Sequence, residues 1–230
     1  MRISVMIALI GFHWGFVGLI SQVTVIDAGV GNVQSVSNMS AKIGVPVRLR
    51  ESPPSTFHPG KDMFLLPGVG AFDRGAESLE KHGWSSFLRD AASSNVAILG
   101  LCLGMQLLCE SSEEGNHPGL GIIPGSFARI SNNDPSGKRR IVPHMGWNEV
   151  TFDRGRAKWL PVGTEPQRYY FAHSYRYQHT NDDFVLGHVN YGEPFAAAIK
   201  KENTVGLQFH PEKSHRFGQD LLRTIFEKLC

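Results

Sequence analysis

From Val23 to Cys109, short β-branched runs alternate with stretches of helical spacing, and this alternation constrains the fold more than anything else in the chain. "VTVID" (23–27) reads as a buried strand, followed by a helical stretch with Val33, Val36 and Met39 three apart that ends near Gly44. "VPVRLR" (45–50), "DMFLLPG" (62–68) and "VAILG" (96–100) read as three further strands. Between the last two, "GWSSFLRDAA" places Trp84, Phe87, Leu88 and Ala91 on one helical face. "LGMQLLCE" reads as a helix with Cys109 in its middle. Strands that alternate with helices imply a parallel sheet covered on both faces.

The second half has another rhythm. "SFARI", "NEVTF", "RYYFAHSY", "FVLGHVNYG", "FAAAIK" and "TVGLQF" are strand-like runs separated by turns, closer to an antiparallel meander. At the C-terminus Phe217, Leu221, Leu222, Ile225, Phe226 and Leu229 recur at helical spacing. With no repeat and no low-complexity linker, residues 23–230 are expected to form one α/β domain, mostly parallel, with antiparallel strands in its C-terminal half.

Composition narrows the class of function. An apolar fraction of 41% and a charged fraction of 19% are those of a globular chain. A net charge of +2 gives no footprint for nucleic acid, and "GKRR" (137–140) reads as a solvated loop. Three cysteines without C-x-x-C or Cys/His metal spacing point to a reducing, cytoplasmic compartment, with neither disulfide framework nor metal nor cofactor. Residues 1–22 stand apart: Arg2 precedes an apolar run from about Val5 to Ile20, as in a secretory signal or membrane anchor. His13 and three glycines interrupt the run, and no small-x-small cleavage site follows. The competing readings are an additional hydrophobic segment, or a start of translation placed upstream of the domain.

Chemistry concentrates in three places. In "NVAILGLCLGMQLLCESSEEG" (95–115), the strand is expected to end at Gly100 and the helix to start near Leu103, so Cys102 occupies a tight elbow. Gly100 and Gly104 take away the side chains that would clash there. A helix N-terminus favours a thiolate, and the Leu103 amide is placed to donate to an oxyanion. A buried structural cysteine fits the same pattern. In "VGLQFHPEKS" (205–214), Pro211 pushes His210 into extended backbone, where His210 and Glu212 project to one side. A carboxylate beside an imidazole fixes its tautomer and stabilises its charged form; a surface turn with an incidental His and Glu is the alternative. In "LLPGVGAF" (65–72), a strand runs into Pro-Gly-x-Gly, whose free amides can complete an oxyanion hole or form an ordinary turn.

Taken together, "PGVGAF", "GLCLGMQLL", "PHMGWN" (143–148), "YFAHSY" (170–175) and "QFHPEKS" resemble the class I glutamine amidotransferases. Within that family they resemble the glutaminase subunits of imidazole glycerol phosphate synthases. The resemblance covers residues 23–230 and leaves 1–22 without a counterpart. It departs at Ala28, where tyrosine is usual, and at Ala172, where valine is usual.

The resemblance implies a flavodoxin-like fold and a triad of Cys102, His210 and Glu212. It implies oxyanion donors at Gly68, Val69 and Leu103, with a peptide of "PGVG" reorienting first. It also implies glutamine contacts from Gln106, Glu114 and the backbone of His173, Ser174 and Tyr175. A (β/α)8-barrel cyclase in a heterodimer would accept the ammonia, contacted by Asn32, Trp147 and Lys213. No nucleic acid or membrane partner is expected. The alternatives are a glutaminase subunit of pyridoxal phosphate or anthranilate type, or a non-catalytic thiol-bearing binding protein on the same fold.

Overall fold

The computed structural model describes residues 22–161 and 167–229. The apolar extension 1–22 lies outside them except for Gln22, which opens the first strand. The elements run β1 (Gln22–Ile26), α1 (Val33–Lys42), β2 (Val47–Arg50), β3 (Asp62–Gly68), α2 (Phe72–Lys81), α3 (Trp84–Ser93), β4 (Ala97–Cys102) and α4 (Leu103–Leu108). They continue as β5 (Ser111–Ser112), β6 (Ser126–Arg129), β7 (His144–Phe152), β8 (Gln167–His173), β9 (Tyr175–Gln178), β10 (Val185–Asn190), β11 (Pro194–Lys201), β12 (Thr204–Leu207) and α5 (His215–Lys228).

Among the described residues, nine strands form one sheet in the order β2-β1-β3-β4-β12-β11-β10-β7-β8. The neighbours from β2 through β12 are parallel, and those from β12 to β8 antiparallel. The expected change of rhythm is therefore a seam at β12, which pairs parallel with β4 and antiparallel with β11. A small second sheet, β5-β6-β9, flanks it.

Alternation along β3 explains the two-sided burial. Met63 and Leu65 join one apolar cluster with α1 and α5 residues such as Val36 and Leu222, whereas Phe64 and Leu66 join a second with Phe72, Leu88 and Leu107 of α2, α3 and α4. Both faces of the parallel half are thus covered by helices.

Several sequence expectations change in detail. The fourth strand runs on to Cys102, because Gly68 and Leu207 supply partners for Cys102 and Leu101. The helix after it has six residues, so Cys109 sits at its C-terminal cap and not in its middle, though fully buried. "RYYFAHSY" is two strands in two sheets, broken at Ser174. α2 has no counterpart in the sequence reading, since it buries only Phe72, Gly75 and Leu79 and otherwise carries polar residues.

"GKRR" is not wholly solvated. Arg140 is buried, donating to the carbonyl oxygens of Ser131 (2.6 Å) and Tyr191 (2.7 Å) and pairing with Glu193 (2.6 Å). It ties the 131–140 loop to the β10–β11 turn. Arg140→Met is expected to lower unfolding free energy by about 2–3 kcal/mol, read as a lower denaturant midpoint, because Glu193 keeps a charge only one-fifth exposed without its main partner.

Candidate active site

The carboxyl ends of β3, β4 and β12 converge on one cleft, the position where open α/β sheets bind ligands. Cys102 stands at the β4–α4 junction with φ +53° and ψ −107°, a conformation that side chains with a Cβ rarely adopt. The elbow closes because two glycines leave room. A Cβ on Gly104 would lie 1.8 Å from the Leu66 carbonyl oxygen, and one on Gly100 would lie 2.7 Å from the Gly104 backbone. The strain at Cys102 is held by the packing of β4 against both neighbours. Nothing in an ordinary core cysteine calls for it.

His210 follows β12 in extended backbone, with its amide donating to the Tyr170 carbonyl at 2.8 Å. Pro211–Lys213 then form one turn of 3-10 helix, so Glu212 meets His210 across a turn and not along an extended strand as the spacing implied. The imidazole Nδ1 bonds Glu212 Oε1 at 2.8 Å, both side chains being 4% exposed. The second carboxylate oxygen, Oε2, is buried without a partner among the described residues.

Burial opposes charge on His210, but the neighbouring Cys102 and the hydrogen-bonded Glu212 carboxylate outweigh it and push the imidazole up to about 9. Cys109 differs: burial pushes its thiol up, and no basic partner offsets this among the described residues. It is an inert core residue.

A cleft of about 340 Å³ is lined by Val69, Cys102, Leu103, Gln106, Glu114, His173, Ser174, Tyr175, His210 and Lys213, ten of the residues expected at the site. Glu212 lies behind His210. Gly68 is buried beside Leu103 at the end of β3. The Val69 amide is engaged, donating to the Val30 carbonyl at 3.2 Å, so it does not face Cys102. Leu103, the first residue of α4, has an amide with no partner inside its helix. Glu114 accepts from the Phe72 amide through Oε2 at 3.0 Å, leaving Oε1 for a ligand, and burial holds its carboxyl above the ordinary range.

The cleft is also lined by the exposed apolar side chains of Met145 (64%) and Val69 (43%), and Ile141, two residues before Pro143 of the lining, is exposed at 78%. Trp147 is 40% exposed and stacked on His215, with ring planes 3° apart. Lys213 is exposed and lies 5.8 Å from the centre of the Tyr170 ring. Asn32 is exposed as well, but its side-chain oxygen caps α1 by accepting from the Ser35 amide at 3.0 Å.

Two residues of the site escape the sequence reading. Gln208, fully buried, accepts from Gln106 (3.4 Å) and places its amide 3.8 Å from the Cys102 sulfur. Ser214 bonds the His210 carbonyl (2.6 Å) and receives the Tyr170 amide (3.0 Å), locking the base to β8. Both lie in "QFHPEKS", and Gln208 stands two before His210, as Glu212 stands two after it. Among the described residues, no three His, Cys, Asp or Glu side chains form a metal-binding group, and no helix is long and apolar enough to cross a membrane.

Comparison with known proteins gives the class. The family model for glutamine amidotransferase class-I matches residues 24–229, and the chain belongs to that family. Among curated proteins it is 40% identical over 206 residues to imidazole glycerol phosphate synthase subunit HisH 2 of Pseudomonas aeruginosa, covering 89% of this chain and 98% of that one. It is 39% identical over 207 residues to the HisH subunit of Bacillus subtilis, covering 90% and 95%. Within the family its place is with these HisH subunits. The fold is that of solved structures as well. A crystal structure of a glutamine amidotransferase superposes with TM-score 0.67 at 16% identity, covering 90% of this chain and 97% of that one. The Thermotoga maritima PurLQS structure does so with TM-score 0.67 at 18% identity, covering 91% and 99%.

Proposed function

We propose that the chain hydrolyses L-glutamine with Cys102 as nucleophile, His210 as proton carrier and Glu212 as the carboxylate that orients His210. The observation that carries this reading is a strained cysteine elbow sharing a cleft with an imidazole that is bonded at 2.8 Å to a buried carboxylate. The Cys102 sulfur adds to the side-chain amide carbon, and the carbonyl oxygen takes the negative charge facing the Leu103 amide. As the C–N bond breaks, His210 gives its proton to the departing nitrogen, leaving a thioester. His210, now neutral, removes a proton from water, which attacks the thioester and releases glutamate and the sulfur.

Gly68 and Val69 add their amides to the oxyanion hole once the Val69 peptide turns away from Val30. Glu114 pairs with the substrate ammonium through its free oxygen, and Gln106 reaches the substrate from α4. The backbone of His173, Ser174 and Tyr175 receives the substrate carboxylate.

Only neutral ammonia is a nucleophile, so release to water would waste it. The exposed Met145 and Val69 in the cleft lining, with the exposed Trp147 two residues beyond Met145 on β7, support a docked partner there, which Lys213 and Asn32 would also contact. By likeness to the HisH subunits, that partner is a (β/α)8-barrel cyclase in a heterodimer, and the joint products are imidazole glycerol phosphate and an aminoimidazole carboxamide ribotide of histidine biosynthesis. Residues 23–230 constitute the amidotransferase domain. The free, buried thiols of Cys102 and Cys109 support a reducing cytoplasm.

The test is glutamine hydrolysis by the purified chain with and without such a cyclase and its nucleotide ligand. Stimulation by the cyclase is expected, and its absence would overturn the pathway. Lys213→Glu is expected to weaken assembly at least about tenfold at low salt, read by titration calorimetry, and less at high salt. Unchanged affinity would remove Lys213 from the interface.

A further inference from the structure

His144 and His173 are register partners across β7 and β8, and their rings meet with Nδ1 of His144 3.1 Å from Nε2 of His173. Each end of this contact is fixed by a group with only one possible role. At one end the Asn148 oxygen accepts from the Glu149 amide (2.8 Å), so its nitrogen must face the other way. That nitrogen donates to the Asn190 carbonyl (2.9 Å) and reaches His144 Nε2 at 3.2 Å. An amide nitrogen only donates, so His144 Nε2 is an acceptor and carries no proton. At the other end, His173 Nδ1 lies 2.7 Å from the Tyr175 carbonyl oxygen, which only accepts, so this nitrogen is protonated.

One arrangement satisfies both ends. Both rings are neutral with the proton on Nδ1, and every bond points from Asn148 toward Tyr175. An added proton on His144 Nε2 would meet the Asn148 N–H, and one on His173 Nε2 would meet the proton of His144. The His144 ring cannot rotate to escape, being stacked between Phe171 (4.6 Å) and Tyr191 (4.1 Å).

Resting on the glutaminase reading, we propose that His144 and Asn148 are positioning residues for glutamine: the chain Asn148–His144–His173 holds the Tyr175 carbonyl and with it the Ser174 turn that receives the substrate. None of this is needed to keep β7 on β8, whose seven-residue register runs from His144 to Val150 without it. It is needed where Ser174 breaks the β8–β9 run and the backbone turns into the cleft. Burial also resists charge on both rings, holding His144 down to about 4 and His173 to about 3. The other titratable groups facing the pair are His210, near His173, and the Tyr191 phenol, whose hydroxyl donates to the Ile141 carbonyl at 2.7 Å. With the pair neutral, His210 is the one charged ring in the cleft.

Asn148→Asp tests the polarity, since it is isosteric but puts an acceptor where the chain requires a donor. In the full chain bound to its cyclase, the variant is expected to raise KM for glutamine at least about fivefold with a smaller change in kcat. Asn148→Ala removes the donor without imposing an acceptor, and is expected to have the smaller effect. ¹⁵N spectra of histidine-labelled wild type should show two neutral Nδ1–H rings across pH 6 to 8, and Asn148→Asp should protonate Nε2 of one of them. A wild-type spectrum with either ring charged or protonated at Nε2 would overturn the proposal, whether or not the variants fold. So would a KM within twofold of wild type in Asn148→Asp, or equal KM effects of Asp and Ala. Absence of hydrolysis in the wild-type complex would overturn the glutaminase reading and this role with it, whereas hydrolysis with unchanged KM would overturn this role alone.

Discussion

Cys102→Ala and Cys102→Gly are both expected to cut glutamine hydrolysis by at least about 10³-fold, and the glycine variant to be the more stable of the two. The loss of activity follows from the missing sulfur, whichever residue replaces it. The order of stabilities follows from φ +53° at this position. Alanine retains a Cβ and the strain that goes with it, about 1–3 kcal/mol for a residue held in such a region. Glycine removes the strain and gives back about 0.5–1 kcal/mol through the greater freedom of its unfolded chain. The net expectation is glycine above alanine by about 1 kcal/mol, measured as unfolding free energy in urea. At an unstrained buried site the order would be reversed. Alanine as the more stable variant, with activity retained in either, would return Cys102 to the role of a core residue.

The next largest effect is expected for Glu212→Gln, a loss of about 10²–10⁴ in kcat, by analogy with carboxylates that orient a catalytic imidazole. Its sharper signature is in the pH profile. Against burial, Cys102 and Glu212 together hold His210 charged up to about 9. Removing the Glu212 charge lets His210 lose its proton at lower pH, so the alkaline limb of kcat/KM should move down by about one unit or more. The same group contributes to stability with a definite sign. A folded value raised above the ordinary 6.5 adds stability that is full below pH 6.5 and lost as pH rises through about 9. The variant should therefore lose stability relative to wild type at pH 6 and little at pH 10. An unmoved alkaline limb would separate Glu212 from His210.

What the chain discloses before folding depends on how far apart the interacting residues are. The elbow at Cys102 is legible because its steric requirement is local: Gly100 and Gly104 flank it, and the space they leave is occupied by Leu66 and by the glycines' own neighbours. His210 and Glu212 are legible from a two-residue spacing, although the turn that joins them is 3-10 and not extended. Arg140 reads as part of a charged loop because Glu193, 53 residues on, is invisible at that range. The chain from Asn148 to Tyr175 depends on the register of β7 against β8, which no local pattern specifies. α2 escapes for a different reason. Its stripe is narrow, and Asp73 and Glu77 turn outward to the 115–117 loop, to which Asp73 gives its oxygens and Glu77 an ion pair with His117.

The seam at β12 places nucleophile and base on neighbouring strands that lie more than a hundred residues apart in the chain. A chain delivered only as far as α4 holds the cysteine but lacks both β12, which flanks β4, and the imidazole that follows it. Such a nascent chain cannot spend glutamine, and a truncated one never acquires the ability. His210 reaches Cys102 only when β12 lies between β4 and β11. Turnover by this chain therefore requires β12 to be in place beside β4.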